Sequence, residues 1–428
     1  MSPRPTQGPP GLTPTRRRHR RNAIAPGSPP PSELLRAFFA AGVCFMLAAA
    51  VAGIAHAVSG RNWLHWLALH LLFLGGVSQL VLGAGQFFVC AFLATNPPPR
   101  RLIYAQLAAW NVGTLLVAVG VPPTTTGLVD GGGALIAAGL VLFALGLRAM
   151  RQRSLQRAPW ALRWYQASAA FLGVGALLGV LMADGTPWPH GSLLGSHLAL
   201  NLGGWLGTAI IGTLHTFFPS LTQTQLRYPR LQRPTYLLWL LGIALLATGA
   251  AFDRDAILVT GWIALLAAAT LLATNLLASL RSAVRPLALP ARLLALAQAF
   301  LPAGLLVALI TTLETGATAP FTGPTEAAVA VLLLAGWIGL TVAGSLLHLL
   351  AILARIKDFT LPMPQPRPLR DRALTATAGA SVAALALSHA PGLAALGAPA
   401  AAATAAVAGL LASRVLAVAL RAARPIAS

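Results

Sequence analysis

Apolar residues run along this chain in long blocks, separated by short stretches rich in Arg, Pro and Gly. A helix needs about 20 apolar residues to cross the hydrocarbon core of a bilayer. Hydropathy read on that scale predicts twelve such helices, at roughly 35–57, 64–94, 102–121, 128–147, 161–183, 193–219, 235–252, 256–279, 289–313, 326–352, 373–390 and 396–418. The fold class expected is all-α: a polytopic membrane protein whose single transmembrane domain occupies residues 35–420. A basic Pro/Arg-rich tail over residues 1–34 precedes it, and a short tail over 421–428 follows. The first tail cannot bury a core and is expected to be disordered. It is not read as a cleaved signal, because proline-rich sequence follows its basic cluster and the first span is too long for a signal's apolar region.

Composition agrees with the pattern. Hydrophobic residues make up 57% of the chain and charged residues 9%, against roughly a quarter charged in soluble proteins. Soluble enzymes and secreted scaffolds are excluded. The net charge of +21 would suit a nucleic-acid binder, but its distribution argues otherwise. Of 30 Lys and Arg, all but Arg61 and Arg254 fall in the two tails or in loops on the same side as them. Six of the nine acidic residues lie on the opposite side: Asp130, Asp184, Asp253, Asp255, Glu314 and Glu326. That bias places both termini in the cytoplasm and requires an even number of spans; the location expected is the cell membrane. The basic charge serves topology and attraction to anionic lipid, not nucleic acid. Cys44, midway along span 1, and Cys90, near the inner end of span 2, form no disulfide framework or CxxC motif and read as packing residues.

The chain also repeats itself. Span 6 reads Gly204-Trp205 followed by Gly207, Gly212 and His215, and span 10 reads Gly336-Trp337 followed by Gly339, Gly344 and His348. Span 2 carries a fainter copy in Gly75-Gly76, Gly83 and Gln86. Equivalent helices at 2, 6 and 10 imply three four-helix units, with small residues allowing close backbone approach.

Histidine is the candidate chemistry. On a regular helix His197, Asn201, Thr208 and His215 share one face of span 6, and His197 and His215 lie about 27 Å apart along it. They therefore belong to opposite leaflets. His70 and His197 fall at matching depth in the outer third, near His56, His65, His190 and His389, which read as interfacial polar groups; His215 and His348 match near the inner face. Neutral imidazole suits haem iron and copper alike, so His70 with His197, and His215 with His348, are the candidate ligand pairs. The competing reading is hydrogen bonding between helices. With no CxxCH motif, a haem would be held non-covalently. None of the nine carboxylates sits at mid-membrane, which counts against proton- or ion-coupled transport.

The stretch from His197 through Asn201, Gly204-Trp205, Gly207 and Gly212 to Pro219 resembles the haem–copper oxidase subunit I superfamily. It is most similar to the smaller NnrS-type relatives, including actinobacterial membrane proteins. Their pattern is H-x-H, then Gly-Trp, a further glycine and a proline. The resemblance implies twelve spans in three pseudo-equivalent four-helix arcs and places a haem-ligand histidine at His70. Ala199 replaces the second histidine of H-x-H, span 7 has no His-His pair, and span 6 lacks His-x-x-x-Tyr. The implied protein thus lacks the binuclear copper centre but keeps a scaffold for one or two b-type haems; the match in depth adds His197 to His70 on the iron of one of them. Such a protein would act in electron transfer or in the response to nitric oxide or metal stress, with a redox partner or a second copy of itself in the bilayer. A permease, which the repeat also suits, and a cofactor-free scaffold or assembly subunit are the other two classes.

The charge bias makes a topological prediction. With Cys44 and Cys90 replaced by alanine, Asp184→Cys and Asp253→Cys should react with an impermeant maleimide in intact cells while Arg157→Cys stays shielded; the reverse pattern would invert the topology.

Overall fold

The structure, a computed structural model, describes residues 27–156, 159–358, 360–361 and 365–423. Among them all regular structure is helical. Six long helices make up the first half of the chain: α1, Pro31–Ser59; α2, Asn62–Phe92; α3, Arg100–Gly120; α4, Thr126–Arg153; α5, Trp160–Ala183; and α6, residues 190–222. The second half contains α7, Gln232–Ala251; α8, Asp255–Ser282; α9, Leu289–Thr315; α10, Glu326–Ile356; α11, Pro368–Leu387; and α12, Gly397–Ala423.

Ten of these helices are long and apolar enough to cross a membrane, so the protein is a multi-pass helical membrane protein. The twelve expected spans meet ten helices of that kind. The two outside the set are α6, whose apolar run is diluted by His197, Asn201, Thr208 and closely spaced glycines, and α11, which opens on Arg370-Asp371-Arg372.

Prolines mark several helix starts, where the missing N–H costs nothing: Pro31 and Pro368 stand in the first turns of α1 and α11, and Pro159 precedes α5. Connections are short, so consecutive helices run antiparallel. Gly60 ends α1 in a left-handed conformation, φ 67°, with its N–H on the His56 carbonyl at 2.8 Å, and α2 starts at Asn62. Residues 27–34, counted with the tail in the sequence, belong to the folded unit. Ser28 Oγ donates to the Pro97 carbonyl at 3.0 Å, Leu34 is buried, and Glu33 accepts from Arg100 at 2.9 and 3.1 Å and from Tyr104 at 3.1 Å. Residues 1–26 lie outside the described residues. Cys90 packs in the core with its sulfur 3.1 Å from Met150 Sδ, whereas Cys44 is exposed on the outer surface of α1.

The three-unit repeat is carried by specific contacts. A Cβ built on Gly75 of α2 would lie 2.6 Å from the Phe45 ring of α1; on Gly204 of α6, 2.6 Å from Phe171 Cβ of α5; on Gly336 of α10, 2.5 Å from Phe300 Cγ of α9. Eight residues further along each helix the pattern recurs. Gly83 faces Phe38, Gly212 faces Trp164, and Gly344 faces Leu293 and Leu294. In each unit the second helix thus lies under aromatic or leucine side chains of the first, at positions too close for any side chain of its own.

Each of these helices is also widened at the same level into π-helical turns, over Leu71–Val77, Ala199–Gly207 and Val331–Gly339. A π turn bonds to the fifth residue on instead of the fourth and frees carbonyls that need other donors inside a membrane. Here Trp110 Nε1 donates to the Leu74 carbonyl at 3.0 Å, Ser78 Oγ to Phe73 at 2.8 Å, and Ser168 Oγ to Trp205 at 3.1 Å. Trp205 Nε1 then donates to Ser78 Oγ at 2.8 Å, joining α6 to α2 across two units. Past their π turns, α2, α6 and α10 converge with Tyr165 of α5 around a mainly apolar cavity of about 80 Å³.

These contacts predict position-dependent effects of adding one methyl group. Gly75→Ala, Gly204→Ala and Gly336→Ala should each cost about 1–3 kcal/mol through overpacking. Gly53→Ala and Gly409→Ala, where an added Cβ meets nothing within 4 Å, should be neutral or gain up to about 1 kcal/mol in helix propensity. Thermal unfolding in detergent checks the contrast.

Candidate functional site

His70 ends the first α-helical stretch of α2, immediately before its π turns, and His197 stands two residues before those of α6. The fold brings the two together: their ring centres are 6.4 Å apart with planes inclined by 28°. Both are half-buried.

Each ring is fixed through the same nitrogen. His70 Nδ1 lies 2.9 Å from the Trp66 carbonyl and His197 Nδ1 lies 2.9 Å from the Gly175 carbonyl of α5. A carbonyl oxygen can only accept, so both Nδ1 atoms carry the proton, and each neutral ring keeps its Nε2 lone pair uncommitted. A backbone carbonyl on the far nitrogen is the usual support of a metal-binding histidine. Trp66 stacks on His70 with ring centres 4.1 Å apart. Asn201 Nδ2 donates to the His197 carbonyl at 2.8 Å and lies 3.1 Å from its Nδ1.

The surface behind His197 is cut from α5. A Cβ on Gly179 would come 2.9 Å from His197 Cε1, and one on Gly175 would come 2.6 Å from Asn201 Oδ1. These two glycines were not among the residues singled out from the sequence, nor was Trp66. The signal available was the four-residue spacing of Gly175 and Gly179, which puts both on one helix face.

The polar stripe expected on α6 does not stay on one face. The π turns between Asn201 and Thr208 change the residues per turn, so Thr208 turns towards α7, where its hydroxyl accepts from Trp239 Nε1 at 3.0 Å. His215 packs against α5, its ring 5.8 Å from that of Trp164, and its Nδ1 donates to the Ile211 carbonyl at 2.8 Å. His348 packs against Phe217, ring centres 5.5 Å apart. Positions 215 and 217 project about 200° apart on a helix, so the inner pair sits on different sides of α6 and no ring contact joins His215 to His348. Among the described residues no three His, Cys, Asp or Glu side chains converge as a metal-holding group. His190 and His389 are exposed.

A further polar group lies between α2 and α3. Gln79 bonds to Asn111 at 2.5 Å and Gln86 to Gln106 at 3.2 Å, all within the apolar bundle. The seven-residue spacing of Gln79 and Gln86 was the sequence signal for it.

No family model and no curated protein sequence matches the chain.

The packing of Gly179 predicts a coupling. Gly179→Ala should destabilise the protein, and the cost should largely vanish in a His197→Ala background, because the His197 ring supplies both of the close contacts. A double-mutant cycle on thermal unfolding should read a coupling of about 0.5–3 kcal/mol; additive effects would mean that the ring is not held there.

Proposed function

We propose that this protein is a haem-binding membrane protein of the haem–copper-oxidase-like kind, without a binuclear copper centre. It acts in electron transfer or in the response to nitric oxide or metal stress. In this reading twelve helices cross the plasma membrane with both termini in the cytoplasm, and His70 and His197 would hold the iron of one b-type haem.

One observation carries the proposal: two histidines on pseudo-equivalent helices meet with both Nδ1 atoms bonded to backbone carbonyls and both Nε2 atoms left to ligate. Two imidazoles on opposite sides of one metal, at about 2 Å each, would place their ring centres about 6 Å apart. The observed 6.4 Å suits that donor set. A bound haem would supply one-electron chemistry. The chain's own contribution is orientation: the Trp66 and Gly175 carbonyls hold the ring tautomers, and Gly179 gives the His197 ring room. π turns are frequent at functional sites, and here they border both histidines.

The test is the visible spectrum of the purified protein, oxidised and reduced. A low-spin b-type spectrum is expected, lost in His70→Ala and in His197→Ala while thermal unfolding remains cooperative. A colourless protein after expression with ample haem, or a spectrum unchanged in the double variant, would overturn the reading and favour a permease or a scaffold subunit.

A further inference from the structure

A second histidine pair stands at the end of the bundle, where α1 turns into α2. We propose that His56 and His65 form a binding site for one divalent transition-metal ion of the imidazole-preferring kind, Cu²⁺ or Zn²⁺. This inference does not depend on whether His70 and His197 hold haem.

The rings of His56 and His65 face each other with centres 5.2 Å apart and planes at 49°. Two imidazoles on neighbouring positions of one ion, at about 2 Å metal–nitrogen distance, have their ring centres about 4.5 Å apart in square-planar and about 5 Å apart in tetrahedral geometry. His56 Nδ1 lies 3.0 Å from the Arg61 carbonyl, which can only accept, so the proton sits on Nδ1 and Nε2 keeps its lone pair. His65 is exposed and makes no hydrogen bond, which leaves either ring nitrogen available.

The turn that presents the pair is built from its own backbone. Gly60 takes a left-handed conformation, its N–H bonds back to the His56 carbonyl, and the Arg61 carbonyl accepts from the Leu64 N–H at 3.1 Å as well as from the His56 ring. Arg61 N–H reaches Ser59 Oγ at 3.4 Å. One carbonyl thus fixes both the start of α2 and the tautomer of His56. With two protein ligands and no third His, Cys, Asp or Glu converging among the described residues, water fills the remaining positions. The site is open and exchangeable, and Cu²⁺ should bind more tightly than Zn²⁺.

The pair is separate from the deeper histidines. Trp66, which follows His65 in sequence and projects about 100° away from it, covers His70 instead.

The experiment is a Cu²⁺ titration of the purified, untagged full-length protein in detergent, followed by electron paramagnetic resonance with glycine as competing chelator. One equivalent of Cu²⁺ with nitrogen hyperfine structure is expected. His65→Ala, at an exposed position that leaves the fold intact, and His56→Ala should each weaken binding about tenfold or more. His190→Ala, at an exposed position at the start of α6, should not. Only a large excess of Zn²⁺ should displace the Cu²⁺ signal from the same site. Absence of stoichiometric binding, equal affinity in His65→Ala, or binding that survives the His56→Ala/His65→Ala double variant would overturn the proposal.

Discussion

Helices in a bilayer gain nothing from hiding apolar surface from one another, because the lipid is as apolar as they are. What remains is contact: how closely two backbones approach and which polar groups find partners on the way. In this protein that constraint is met by six glycines on α2, α6 and α10, each under a large side chain of the helix before it. The site, the cavity and the three-unit plan all depend on these approaches, since they set how deep and at what rotation the three inner helices sit.

The π turns are the second consequence of the same packing. Widening a helix inside a membrane exposes carbonyls that no water can serve, and such a defect persists only where side chains repair it. Trp110, Ser78 and Ser168 do so here. The Trp205 indole then uses the repaired turn of α2 as an anchor for α6. The same widened turns border His70 and His197, so the segment that locks two units together also presents the two rings. Structural and chemical demands on these residues cannot be separated by position alone.

Much of this was legible in the sequence, for reasons of length and repetition. Apolar blocks of sufficient length can only be helices, and the matching Gly-Trp patterns at 204–205 and 336–337 gave away the equivalence of α6 and α10 before any contact was known. The pairing of His70 with His197 followed from depth, since a residue's distance along a straight helix is fixed by counting. Azimuth was another matter. Counting at 3.6 residues per turn put Thr208 on the face of His197, and the π turns break that count. Glycines 175 and 179 were invisible for a different reason: a residue without a side chain shows its role only through what lies against it. α6 is less apolar than a free-standing span needs to be, because a helix enclosed by its neighbours can carry more polar residues.

The π turns have one more effect. Each acts as an inserted residue that divides its helix into an upper and a lower rod, joined at a rotation a regular helix would not give. Above the joint lie the histidines; below it, the cavity between α2, α6 and α10. A regular helix would make the two halves share one azimuthal register, so that any change tuned for one would twist the other. The joint gives the two halves different registers, so the face that lines the cavity below need not be the face that presents the imidazoles above.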